Sequence, residues 1–205
     1  MKEIGILIFD GVEELDAVGP WEVLACWARD YPEDDYSVSF ISLDGAPVVA
    51  AKGLTLTPHT SAADMPPLDV FLHPGGQGTR RLMRDESHLA WMNSLAARIP
   101  LMTSVCTGAL VYAAAGLLRD RPATTHWQSL TLLQELDSTI NVRPEDRFVD
   151  DGDVVTSAGV SAGIDMSLHL VRRLASPERA RQVRREIQYG PTPPAGNNAP
   201  GSESE

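Results

Sequence analysis

The chain has two cysteines, and one of them, Cys106, lies in "SVCTGAL", where an apolar run gives way to a helix-prone one. A cysteine at such a strand-to-helix turn lies beyond the carboxyl end of a sheet, where open α/β folds place their sites. It also faces the free N–H groups of a helix start, which favour an anion. That setting draws a thiol pKa from ~8.5 into the range ~3.5–7.5. Gly108 lets another backbone segment approach closely. The position predicts an ionised nucleophile presented as on a nucleophile elbow, although the G-x-S-x-G spacing is absent. The competing reading is a small buried hydrophobe, the usual fate of a free cysteine. Cys26, inside the apolar "EVLACWA", takes that second reading.

Three further stretches could serve such a thiol. Asp16, in "LDAVGP", is a carboxylate in apolar surroundings. Burial would raise its pKa and let it hold or donate a proton near neutrality. It could equally cap a helix restarting at Pro20. Gly75 and Gly76, in "HPGGQG", could turn backbone N–H groups toward a developing negative charge, or form an ordinary turn. His126, in "TTHW", could pair with the thiol, or be a structural group beside Trp127. Glu13 and Glu14 read as a solvated face. His59, His73, His88 and His169 lack metal-ligand spacing, and neither CxxC nor HExxH occurs, so no metal is expected. "HPGGQG" matches neither a P-loop nor a dinucleotide fingerprint, and no cofactor is expected.

The elements that must position these residues alternate. Short apolar or alternating runs over 3–9, 36–43, 68–76 and 100–106 predict strands. "PVVAAKGLTLTPHTS" predicts a hairpin about Lys52–Gly53, and "DRFVDDGDVVTSAG" another about Asp151–Gly152. "ATTH" predicts a short strand. Helical spacing follows in "VEELDAVGPWEVLACWARD", interrupted at Gly19–Pro20, in "DESHLAWMNSLAARI" with Asp85 as N-cap, in "TGALVYAAAGLL" and in "WQSLTLLQEL". "SAGIDMSLHLVRRLA" and "PERARQVRREIQ" complete the series, the last with Pro early in the helix. Strand–helix alternation predicts an α/β fold with a mainly parallel sheet. One domain is expected over 1–189, followed by a polar Pro/Gly-rich tail over 190–205.

The bulk numbers narrow the class. A length of 205 residues suits one domain, and a formal net charge of −11 argues against a nucleic-acid or anionic-membrane surface. Two cysteines are too few for a disulfide framework and suit a reducing, cytoplasmic setting. No window approaches the apolar length that a membrane span needs.

Together, "LDAVGP", "PPLDVFLHPGGQG", "SVCTGALVYAAAGLL", "ATTHW" and "SAGVSAGIDMSLHL" resemble the ThiJ/PfpI superfamily of the class I glutamine-amidotransferase-like fold, and within it the isocyanide hydratase branch. The resemblance implies a flavodoxin-like three-layer sandwich, with Cys106 as nucleophile and Gly75 and Gly76 as the backbone-donor loop. Asp16 stands where many members have glutamate, and an aspartate there, followed by "xxGP", resembles the hydratase branch. Thr107 stands where protease-like members carry histidine, which argues against a Cys–His peptidase. The implied activity is hydration of an isocyanide to an N-substituted formamide through a thioimidate, by a homodimer acting on a small molecule. In "QGTRR", Gln77, Arg80 and Arg81 are more polar than an apolar isocyanide needs. A glyoxalase or deglycase acting on 2-oxoaldehydes, with His126 as proton carrier, is one alternative. A stand-alone cysteine redox or ligand sensor is another, since similar domains form the sensor half of AraC-type regulators.

Overall fold

The computed structural model describes residues 1–190, and the counts below refer to those residues. The expected tail, from 191 on, lies outside them. In chain order the first elements are β1 (Lys2–Leu7), α1 (Glu14–Asp30), β2 (Tyr36–Ser42), β3 (Val48–Val49), β4 (Thr55–Leu56), β5 (Thr60–Ser61) and β6 (Val70–His73). Next come α2 (Thr79–Leu82), α3 (Glu86–Ala96), β7 (Leu101–Val105), α4 (Gly108–Ala114), β8 (Pro122–Ala123), α5 (Leu130–Leu136) and β9 (Asn141–Val142). The chain closes with β10 (Phe148–Asp150), β11 (Val154–Ser157), α6 (Ala162–Leu174) and α7 (Pro177–Glu186).

Seven strands form one sheet in the order β10-β11-β7-β6-β1-β2-β5. Every pairing is parallel except β10 with β11. Strands of such a sheet are buried on both faces and read as continuous apolar runs. β7 is the clearest case, with all of "LMTSV" buried. Helices α1, α6 and α7 pack together in one layer, and α2, α3 and α5 gather around α4 in another. The three-layer sandwich expected from the sequence is therefore what forms, with one contiguous apolar core.

Two local expectations need correction. Gly19–Pro20 does not interrupt α1, a continuous helix of 17 residues with Pro20 inside it. Pro20 lies against Gly163 of α6 and Gly19 against Ile164, so interhelical packing retains the helix despite the missing donor. Asp16 accordingly caps nothing, since Glu13 is the N-cap residue. The "ATTH" strand stops at Ala123. Beyond it Thr124 and Thr125 bond to side-chain and loop groups: the Thr124 N–H donates to Thr156 Oγ1 at 2.9 Å, and Thr125 Oγ1 to the Cys106 carbonyl at 2.7 Å. The other predicted elements form where expected. Asp85 caps α3 by accepting from the N–H groups of Ser87 and His88, and Ser176 caps α7 with Pro177 behind it.

Candidate active site

The parallel strands deliver four segments to one end of the sheet: Gly11–Asp16 after β1, Pro74–Gly76 after β6, Cys106–Thr107 after β7 and Ala158–Val160 after β11. Cys106 is the turning residue between β7 and α4, in the left-handed region at φ +57°. Its N–H donates to the Ser157 carbonyl at 3.0 Å, so β11 fixes the elbow. Gly108 is required one turn on, where a Cβ would come within 2.2 Å of the His73 carbonyl oxygen. The elbow and the end of β6 are thus pressed together.

Asp16 is completely buried on the first turn of α1. Its Oδ2 accepts from the Gly75 N–H at 3.1 Å, and its Oδ1 is buried without a well-formed hydrogen bond. The carboxyl adjoins the Cys106 thiol. Burial pushes its pKa up to about 7, opposed by the thiol and by the Gly75 and Val160 N–H groups and reinforced by Glu13. The thiol moves up as well, to about 12, through burial and then the neighbouring carboxylate, against the Thr107 and Val160 N–H groups. The expected depressed thiol pKa is therefore reversed. At 5% exposure, desolvation outweighs the dipoles of a short helix start. Near neutral pH the sulfur keeps its proton while the carboxyl is close to half-ionised, able to take or give one.

Gly75 and Gly76 face the site, but their N–H groups are already engaged. Gly75 donates to Asp16, and Gly76 donates to Thr107 Oγ1 at 2.9 Å. The donor loop expected from the sequence thus orients the carboxyl and Thr107, while the N–H groups directed at the sulfur belong to Thr107 and Val160. Thr79 Oγ1 also lies 3.0 Å from Thr107 Oγ1, tying α2 into the same cluster. Beneath the loop, His73 Nδ1 lies 2.8 Å from the Pro74 carbonyl and its Nε2 3.2 Å from His88 Nε2. A carbonyl requires a donor, so His73 carries its proton on Nδ1 and accepts from His88. Burial keeps both rings neutral, with pKa values pushed down to about 3 and about 4.

Above Cys106 a cavity of about 240 Å³ is lined by Glu13, Gly76, Gln77, Arg80 and Thr107 on one side and His126, Gln128, Ser129 and Val160 on the other. His126 lies in the cavity wall, and its Nδ1 accepts from the Gln128 N–H at 3.3 Å. Glu13, expected on a solvated face, instead forms part of the wall and is ion-paired with Lys52 of the β3–β4 turn. Val160 went unread in the sequence. A β-branched residue at φ +54° is strained, and only its place after "SAG" hinted at a tight turn. A wider groove of about 540 Å³ beside α6 and α7 is lined by no cysteine, serine or threonine. Cys26 is a buried helix residue, its thiol 3.5 Å from Asp30 and pushed up to about 11 by burial. Among the described residues no cluster of three or more potential metal ligands occurs, and no helix is long and apolar enough to cross a membrane.

An open parallel sheet that presents a cysteine on a strained elbow beside a buried carboxyl defines a thiol-bearing α/β domain of flavodoxin-like architecture. The chain belongs to the DJ-1/PfpI family, whose profile matches residues 2–173. It is 41% identical over 198 residues to an isonitrile hydratase of Pseudomonas putida, covering 97% of this chain and 83% of that one. It is 30% identical to the transcriptional regulator GbdR of Pseudomonas aeruginosa over 84% of this chain, but spans only 46% of that protein. Among solved structures, a ThiJ/PfpI family protein from Pseudomonas syringae superposes with a TM-score of 0.83 at 31% identity, covering 95% of this chain and 78% of that one. Drosophila melanogaster DJ-1beta shares the fold, with a TM-score of 0.78 at 20% identity over 92% of this chain and 98% of that one.

Proposed function

We propose that this protein is a cysteine-dependent hydratase that adds water to an isocyanide, R–N≡C, to release the formamide R–NH–CHO. The observation that carries the reading is the buried Asp16 carboxyl beside the Cys106 thiol, one free to gain a proton and the other holding one. Likeness to a hydratase along nearly the whole chain supports it. Isocyanide addition needs both partners at once. Sulfur forms a bond to the terminal carbon while Asp16 takes the thiol proton, and Asp16 returns that proton to the same carbon, giving the thioimidate R–N=CH–S–Cys106. Water then adds to this carbon, one of its protons passing to nitrogen. The C–S bond breaks, the remaining hydroxyl becomes the formyl oxygen, and the thiol regains its proton. Two modest steps replace one difficult hydration.

The alternatives have weaker support. A peroxide sensor needs a thiolate, whereas burial and the neighbouring carboxylate push the Cys106 pKa up. A glyoxalase using His126 would leave the closer Asp16 without a task. The reading includes a homodimer, for which sedimentation of the full chain at twice the 22.2 kDa mass is the expected result and a monomer at micromolar concentration the contrary one.

Proton NMR of the protein with cyclohexyl isocyanide, and separately with methylglyoxal, tests the assignment. Wild type should give N-cyclohexylformamide, Cys106→Ala none, and Asp16→Asn a rate lower by ~10²–10⁴ with its fold intact. Formamide from Cys106→Ala at the wild-type rate would end the covalent scheme, and consumption of methylglyoxal alone would transfer the site to carbonyl chemistry.

A further inference from the structure

The cavity above Cys106 contains a positive charge without a counter-charge. Arg80, half-buried on α2, extends along the cavity wall. Its guanidinium reaches Thr79 Oγ1 and Ser129 Oγ, each at 3.4 Å, and among the described residues no carboxylate oxygen lies within 4.0 Å of it. A guanidinium has five N–H donors in a rigid fork. Two long contacts to neutral hydroxyls orient that fork and leave most of it unused. The other acid in the wall, Glu13, is already matched by Lys52. Asp16, buried beside Cys106, is committed to the thiol and the Gly75 N–H. The remaining wall is mostly amide, hydroxyl and imidazole, and Val160 is its one aliphatic side chain.

Such a lining suits a polar or charged substituent better than an alkyl or aryl one. On the reading of the site as an isocyanide hydratase, we infer that the substrate carries a carboxylate on the group attached to its isocyanide nitrogen, and that Arg80 holds this carboxylate while the isocyanide carbon meets Cys106. Arginine–carboxylate pairs are commonly bidentate, and two parallel N–H···O bonds fix an orientation as well as a charge. A cavity of about 240 Å³ has room for the isocyanide group together with a short carboxylate-bearing substituent. Charge on the molecule as a whole gives the residue a second task. At −11 the protein repels anions, and one uncompensated cation within a low-dielectric cleft supplies the local attraction that an anionic substrate requires.

Isocyanoacetate, its neutral methyl ester and cyclohexyl isocyanide separate the possibilities, with kcat and KM measured for each on the full chain. Wild type should favour isocyanoacetate over the ester by at least tenfold in kcat/KM. Arg80→Met should lower kcat/KM for isocyanoacetate 30- to 100-fold more than for the ester, mainly through KM, and Arg80→Lys should recover part of the preference. Equal wild-type handling of acid and ester overturns the inference whatever the variants do. An equal loss on both substrates in Arg80→Met overturns it too, by making the arginine a structural group. Hydration of cyclohexyl isocyanide without any preference for the acid removes Arg80's role and leaves the hydratase intact, whereas hydration of none of the three removes both.

Discussion

A thiol near pKa 12 beside a carboxyl near 7 is poised differently from a free thiolate. Attack on a substrate requires the carboxylate to be ionised and the thiol to be protonated, so kcat/KM should rise with pH and level off above about 7. The descending limb lies beyond any working pH. Substitution of the acid tests its service as a base. Asp16 takes the thiol proton as sulfur attacks, so alkylation of Cys106 by iodoacetamide at pH 8 should slow in Asp16→Asn together with formamide production. Alkylation that quickens while turnover falls would show that the carboxylate only suppresses the thiolate and acts elsewhere in the cycle. A wild-type profile flat from pH 5 to 9 would detach Asp16 from the rate altogether.

At the scale of elements, the site depends on how tightly the ends of β1, β6 and β7 interlock. Gly76 is the clearest instance. At φ +119° it favours glycine, and a Cβ there would lie 2.3 Å from both the Glu13 nitrogen and the Gly11 carbonyl oxygen, backbone atoms that cannot step aside. Gly116 also has a positive φ, +77°, but open space surrounds its missing Cβ. Conformational strain alone costs about 1–2 kcal/mol, so Gly116→Ala should lose about that much in urea denaturation. Gly76→Ala should lose distinctly more, and activity with it; equal losses would mean the loop has room to move. The same interlocking explains what the sequence could disclose. An apolar run meeting "CTGAL" locates the elbow, because strand burial and helix propensity are local properties. "HPGG" locates the loop for the same reason. The destinations of the Gly75 and Gly76 N–H groups were not legible, nor was the pairing of His73 with His88, which lie 15 residues apart. Neither was the wall position of Glu13, which depends on Lys52, 39 residues away. The direction of the thiol pKa was misread for a related reason: helix position favours ionisation and can be inferred from sequence, whereas the depth of burial that opposes it is fixed only by the assembled sheet.

For the whole molecule, three buried titratable groups set how stability varies with pH. Asp16 has its folded pKa raised to about 7, so its contribution is fully present below the unfolded value of about 4 and is lost as pH rises through 7. His73 and His88 have theirs lowered to about 3 and about 4. Their contribution is present above the unfolded value of about 6.5 and is lost as pH falls. Between pH 4.5 and 6.5 these effects oppose each other: the unfolded chain binds roughly two more protons at the histidines and one fewer at the aspartate. The net from these three groups is about one proton, so they should make wild-type stability climb by on the order of 1 kcal/mol per pH unit across that window. Above it the histidines fall silent, and the gain stops. Asp16→Asn deletes the opposing term alone. Its slope should approach twice that of wild type, and its advantage should grow from little at pH 4.5 to about 4 kcal/mol above pH 7, because a buried charge has been exchanged for a neutral amide. Urea midpoints of both proteins at pH 4.5, 5.5, 6.5 and 7.5 measure this directly, and parallel curves for the two would mean that the carboxyl is not held neutral by the fold. Curves that diverge as expected make the residue needed for turnover one that the folded chain tolerates at a cost, its charge opposed by the same burial that keeps the thiol protonated.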